Sequence, residues 1–204
     1  MKEDNKKLFS QEIIELKKLS GKERGIDIKY LVSCVKKKEG DSGFEELNDF
    51  LKEFDFVLPS LKEINDIAWI SESIPHIYLI GAARYFDWSE DDVFKMGRNV
   101  LTYSNTVKIF IKYFFSIKQT IVGSTAGWNK FYSKGKLEVV KFDRENKQAI
   151  LNLRDFDTHP LVCVYLSGAI QGIIEQGSGN NNAKVKEVKC MSKGDSYHEF
   201  LLSW

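Results

Sequence analysis

The hydrophobic period of this chain first changes at about two thirds of its length, and that change limits its possible folds more than any other feature. In the first half, apolar residues recur every three or four positions. Phe44, Leu47, Phe50, Leu51 and Phe54 follow this rhythm, which puts them on one face of an amphipathic helix. From Leu137 the period falls to two. Leu137-Glu-Val-Val-Lys-Phe142 and Ala149-Ile-Leu-Asn-Leu153 are short β-like runs, with turn residues Asp143-Arg-Glu-Asn146 between them, so they read as a hairpin. Helical spacing returns from Leu161 to Glu175, just after Pro160. A second hairpin follows, Ala183 to Cys190 and Tyr197 to Trp204, around Ser192-Lys-Gly-Asp195. The expected class is α+β: a helical N-terminal half followed by β-β-α-β-β, with an antiparallel sheet packed against helices.

Within the helical half, Leu8-Phe9, Ile13 and Leu16 approximate helical spacing before a break at Gly21 and Gly25. Residues 1–25 therefore read as a helical arm that packs on the body or on a partner, and 26–204 as a single domain. Ile28 to Lys38 is a helix ended by Gly40. Pro75 sits in the first turn of another, running to Phe86. Ser89 with Glu90-Asp91-Asp92 starts the next, since a serine cap and first-turn acids suit the helix dipole. Thr102 to Ile117 is a strongly apolar helix carrying Phe110, Tyr113, Phe114 and Phe115. Gly123-Ser-Thr-Ala-Gly127 reads as a turn.

The 204 residues suit one domain, with 43% hydrophobic and 29% charged residues, an ordinary globular balance. A formal net charge of +1 provides no field for nucleic acid, and no direct nucleic-acid binding is expected. No stretch approaches the length of a membrane span, and the polar N-terminus is no secretory signal. Three cysteines, without a disulfide-rich pattern, point to a reducing cytoplasm.

Periodicity also gathers metal-ligating residues. Cys163, Leu166, Ile170 and Ile174 share one helix face. In the last strand His198, Phe200, Leu202 and Trp204 alternate onto one side, and three of these four are large and apolar, so that side faces the core. Cys190 ends the preceding strand, and Glu187 adds a carboxylate. Glu187 and Cys190 are three apart, which in a straight strand sends them to opposite faces, so their convergence needs a bulge or bend. Spacing alone leaves two readings open: a four-ligand metal site, closed and therefore structural, or two buried thiols and a satisfied core histidine.

The segment His159-Pro-Leu-Val-Cys-Val-Tyr-Leu-Ser-Gly-Ala-Ile-Gln-Gly172, then Val185-Lys-Glu-Val-Lys-Cys190, Gly194-Asp195 and Phe200-Leu-Leu-Ser-Trp204, resembles the 4-vinyl-reductase-type domain. That family is grouped with the Bet-type subunits of the TRAPP vesicle-tethering complex, and its fold is compared with haem NO-binding domains. It includes sensor domains of activators that respond to phenol and xylene, in which zinc is held by three cysteines and a glutamate. The resemblance implies zinc here, with Cys163 at the first cysteine, Glu187-x-x-Cys190 matching the Glu-x-x-Cys pair and His198 at the third cysteine. It also implies a ligand enclosed beside the zinc unit, with Phe110, Phe114, Trp128, Phe131, Tyr132 and Phe142 as its lining. Phe114 and Phe142 fall near the places where phenol sensors use histidine and tryptophan, so an apolar or aromatic ligand such as a hydrocarbon or acyl chain is expected instead.

Catalysis has little footing in the residues. No Ser-His-Asp set, P-loop or dinucleotide glycine fingerprint is present. The family name implies reduction of tetrapyrrole vinyl groups, yet no redox-cofactor motif is visible. His76 follows Pro75 on an apolar helix and reads as structural, and the Tyr-x-Ser-x-Arg haem signature is absent. The expected function is a cytoplasmic ligand-binding sensor module, working as a homodimer. The alternative is a TRAPP-like scaffold acting through protein contacts.

Overall fold

The structure, a computed structural model, describes residues 2–103 and 117–204. The chain divides into two compact units, Met1–Asp91 and Asp92–Trp204. The class is α+β, helical first and then largely strand, as the change of period predicts.

The first unit contains α1 (Glu3–Leu16), β1 (Lys22–Arg24), α2 (Gly25–Lys52), β2 (Trp69–Ser71) and α3 (Ser73–Tyr85). Helix α2 is two helices meeting at Gly40, where φ is 78° and ψ 178°. That left-handed φ costs glycine little, and it is why the spacing on either side reads as two segments. Phe9 of α1 is fully buried, its ring 5.3 Å from Phe50 and edge-on to Phe54 at 5.1 Å. Arg84 of α3 donates to Glu12 through Nε and Nη2, at 3.0 and 2.6 Å. The apolar face of α1 is thus buried within the unit, leaving Leu8 and Ile14 outside. Strands β1 and β2 pair antiparallel, Lys22 with Ser71 through Arg24 with Trp69. Three residues are too few for an alternating pattern, so sequence spacing does not reveal them.

Helix α4 (Glu90–Tyr103) leads into the second unit. There follow α5 (Ile117–Phe131), β3 (Lys136–Asp143), β4 (Gln148–Arg154), α6 (Pro160–Ser178), β5 (Lys184–Lys189), a short 3-10 turn (Met191–Lys193) and β6 (His198–Ser203). The apolar helix expected over Thr102 to Ile117 falls, for residues 104–116, outside the described residues. The glycine-bearing segment expected as a turn, Gly123 to Gly127, lies inside α5. Two glycines each cost a helix about 1 kcal/mol, too little to break one that buries Thr120 and Ile121.

The four strands form an antiparallel sheet in the order β3-β4-β6-β5. The last strand therefore pairs with both hairpins, Leu153 with His198 on one side and Glu187 with Phe200 on the other. Leu151, Leu153, Phe200 and Leu202 are buried on the inner face, as are Cys163, Leu166, Ile170 and Ile174 of α6. Helices α4 and α6 cross with backbones in contact: a Cβ on Gly97 would strike the Tyr165 carbonyl, and one on Gly168 the Phe94 carbonyl. Neither carbonyl can move without breaking its helix. Gly168→Ala should therefore destabilise the protein by about 1–3 kcal/mol, the usual cost of overpacking, measured as a lower urea midpoint at unchanged slope.

Candidate metal centre

Four side chains converge in the second unit. Helix α6 begins at Pro160, whose missing N–H is no loss in a first turn, and His159 caps it, Nδ1 accepting from the Leu161 amide at 3.1 Å. One turn in, Cys163 points inward and is 1% exposed. His198 opens β6 on the same inner face, also 1% exposed. Glu187 and Cys190 come from β5 and its end. The register of β5 against β6 slips between Glu187 and Lys189, a bulge that brings two residues three apart to one side. This is the strand irregularity that convergence required.

One ligand atom from each of the four, Cys163, Glu187, Cys190 and His198, lies within 4.8 Å of all the others. The two sulfurs are 3.5 Å apart, Cys163 Sγ is 3.8 Å from His198 Nδ1, and Nδ1 is 2.9 Å from Glu187 Oε1. Tetrahedral ligands at about 2.0–2.3 Å from an ion stand about 3.3–3.8 Å from one another. The cluster is therefore close to the size of a tetrahedral site.

The imidazole orientation follows from its partners. His198 Nε2 is 2.9 Å from the Phe156 carbonyl oxygen, which can only accept, so Nε2 carries hydrogen. That leaves Nδ1 facing a carboxylate oxygen. Two lone pairs at 2.9 Å repel unless a cation lies between them, either a proton on Nδ1 or a metal ion. Burial, then the Glu187 carboxylate and Cys190, push the Cys163 thiol well above the ordinary thiol range. A metal ion reverses that bias, because a coordinating thiol loses its proton.

Three residues outside the expected set support it. Ser192 Oγ is 2.9 Å from Cys190 Sγ and 3.9 Å from Cys163 Sγ. Asp195 Oδ2 accepts from the Cys190 amide at 2.8 Å, closing the turn. The Phe156 carbonyl fixes the imidazole. The position of Asp195 just after Gly194 in a turn is the signal that finds it, whereas a backbone carbonyl leaves none in a sequence.

The aromatic residues expected to line a pocket are only partly brought together. Phe110 and Phe114 lie outside the described residues. Trp128 stacks on Tyr132 with centroids 4.2 Å apart and meets Phe156 edge-on at 5.2 Å. Its Nε1 donates to the Lys134 carbonyl at 2.8 Å. Phe131 is half-buried in α5. Phe142 stacks on Trp204 at 5.6 Å, near the end of β3 away from Gly135, where Trp128 lies.

No family model matches the sequence, and no curated protein matches it. Solved structures do. An H-NOX protein from S. oneidensis in the Fe(II)NO state superposes with a TM-score of 0.63 at 17% identity, over 88% of this chain and 98% of that one. The unliganded Fe(II) H-NOX protein from K. algicida gives 0.60 at 10% identity, over 88% and 95%. A third structure, from work on haem redox potential and porphyrin distortion, gives 0.54 at 11% identity, over 89% and 99%. The chain thus has the H-NOX fold. This corrects the family resemblance drawn from the last third of the sequence: the matching structures are H-NOX proteins, not 4-vinyl-reductase-type domains. The expected zinc is corrected with it, because that expectation came from the family, and these neighbours are described by iron and haem. The motif His159 to Gly172 mostly records how a helix packs on a sheet, which different families share.

Replacing Asp195 with alanine leaves the buried Cys190 amide without its charged acceptor. The expected cost is about 1–3 kcal/mol, seen as a lower melting temperature and faster hydrogen exchange at the Cys190 amide.

Proposed function

We propose that this chain is a non-catalytic, small-molecule-binding module of the sensor type, fastened in its second unit by one transition-metal ion. The observation that carries the metal is the facing pair His198 Nδ1 and Glu187 Oε1, with two thiols aimed at the same point. A proton alone accounts for the pair, and the two thiols beside it add the soft ligand atoms that a transition metal takes. Cys163, Glu187, Cys190 and His198 would hold the ion. Four protein ligands leave no position for substrate, so the ion would act as a fastener rather than a Lewis acid. It would tie α6 to the β5–β6 hairpin, and the carbonyl that orients His198 belongs to Phe156, which also packs on Trp128.

The sensor reading draws on the fold. The solved neighbours are described by the ligation state of a bound iron, not by a reaction they catalyse. Of the expected aromatic lining, Trp128 and Tyr132 are the described residues that meet, stacked at 4.2 Å. A cytoplasmic setting suits free thiols 3.5 Å apart, which an oxidising compartment would join. Among the described residues no helix is long and apolar enough to cross a membrane. A homodimer through α1 would draw on the exposed Leu8 and Ile14.

Haem held by histidine does not fit this chain. Such ligation needs an imidazole nitrogen with a free lone pair. The sequence has three histidines. His76 is 4% exposed with its Nε2 paired to Glu23 Oε1 at 2.7 Å, so a haem iron has no open approach to it. His159 caps α6, and His198 is bound through both ring nitrogens.

Two measurements test these readings. Native mass spectrometry of protein purified without chelator should show one metal ion per chain, and also reads any retained ligand and the oligomeric state. Cys190→Ala should abolish the metal signal and lower the melting temperature sharply; absence of metal from the unaltered protein rejects the fastener. Titration with haemin should yield no histidine-ligated Soret band, and a stoichiometric one rejects the assignment of the three histidines.

A further inference from the structure

The first unit buries a second polar cluster, apart from the metal centre. Glu23 of β1 is 3% exposed, and Glu72 and His76 at the start of α3 are 3% and 4% exposed. Asp27 stands in the first turn of α2, where its carboxylate accepts from the Arg24 amide. A first-turn acid bonded back to the N-cap amide is half of a capping box. Glu72 Oε1 accepts from the Gly21 amide at 2.8 Å, and the Glu72 amide donates to the Gly21 carbonyl at 3.0 Å. Three carboxyl groups and one imidazole thus hold β1 and two helix starts together.

Two buried carboxylate oxygens of this cluster lack a well-aligned donor. Asp27 Oδ2 is sealed from solvent and no donor reaches it. Glu23 Oε1 is 2.7 Å from His76 Nε2, an ion pair, yet it accepts no well-aligned hydrogen bond. A buried carboxylate oxygen without a donor is costly. Two such oxygens on neighbouring acids are satisfied together if one acid keeps its proton and donates to the other, a strong charge-assisted bond.

We propose that the carboxyl groups of Asp27 and Glu23 share one proton. With His76 and Glu72 they form a buried proton-binding latch between the β1–α2 corner and the start of α3. The other charged groups nearby have partners of their own. The Arg24 guanidinium lies 3.6 Å over the Trp69 ring and donates to the Ile67 carbonyl, and Lys29 pairs with Asp66 at 2.7 Å. Burial first, and the Glu23 charge second, raise the Asp27 carboxyl well above its ordinary range. Its proton stabilises the fold fully below the unfolded carboxylate range, near pH 4, and that contribution fades as pH rises toward the folded value. His76, also raised, contributes fully below about pH 6.5 and loses its share as pH rises through its folded value. The two act in one direction: the latch loosens as pH rises.

The test is carbon-13 NMR of the Asp27 carboxyl in the full chain. The expected result is no ionisation near pH 4, the range of ordinary aspartates, and a shift only at higher pH. Ionisation in the ordinary range overturns the proposal. Asp27→Asn, which keeps the shape and a donor, should flatten the loss of melting temperature between neutral and alkaline pH. A profile that falls as steeply as that of the unaltered protein overturns it as well. If that variant does not fold, the titration of the unaltered protein decides alone.

Discussion

The pairing of β6 with both β4 and β5 is the constraint from which the second unit follows. Through it the last strand, joined to β5 by residues 190–197, also locks onto the first hairpin, with Leu153 opposite His198. A slip of one residue would turn His198, Phe200 and Leu202 to solvent. The slip that does occur, between Glu187 and Lys189, is confined to β5 and serves the opposite purpose: it turns Cys190 inward beside Glu187. One strand in strict register and one strand with a bulge together produce a point where sulfur, nitrogen and oxygen meet.

Close helix packing sets the other side of that point. Helices α4 and α6 touch backbone to backbone at Gly97 and Gly168, and Arg98 reaches Glu175 at 2.8 Å. Glu175 also accepts from Gln171 at 3.0 Å, while Gln171 accepts from the Val185 amide at 3.3 Å. This chain of contacts runs from α4 through α6 to β5. It leaves Cys163 little freedom to move relative to the strands it faces.

The two units bury charge in different ways. In the second, soft and hard ligand atoms converge within the reach of one ion, and the facing lone pairs of His198 Nδ1 and Glu187 Oε1 oppose each other unless a proton or a metal ion lies between them. In the first, three carboxyl groups and His76 lie along two helix starts without converging tightly enough for a metal, and a proton suffices. Both arrangements follow the same rule, that a buried lone pair needs a positive partner. Which partner it takes depends on how many lone pairs point to one place.

Much of this was legible in the sequence. The hairpins, α6, the break at Gly40 and the inward faces of Cys163 and His198 follow from spacing, because a period of 3.6 or 2 states which side chains share a face. Even the need for a bulge between Glu187 and Cys190 follows from their separation of three. Other features have no period to read. The pairing of β1 with β2, the strand order, the separation of Phe142 from Trp128 and the meeting of Glu23 with His76 all depend on contacts between residues far apart in the chain. The H-NOX fold, too, is not legible in the local motif, because a helix capped by His159 and packed on a strand looks alike in different folds. The sequence by itself determined which residues face inward. Tertiary structure decided which of them meet, since only the packing of distant elements sets the distances at which lone pairs repel, share a proton or hold an ion.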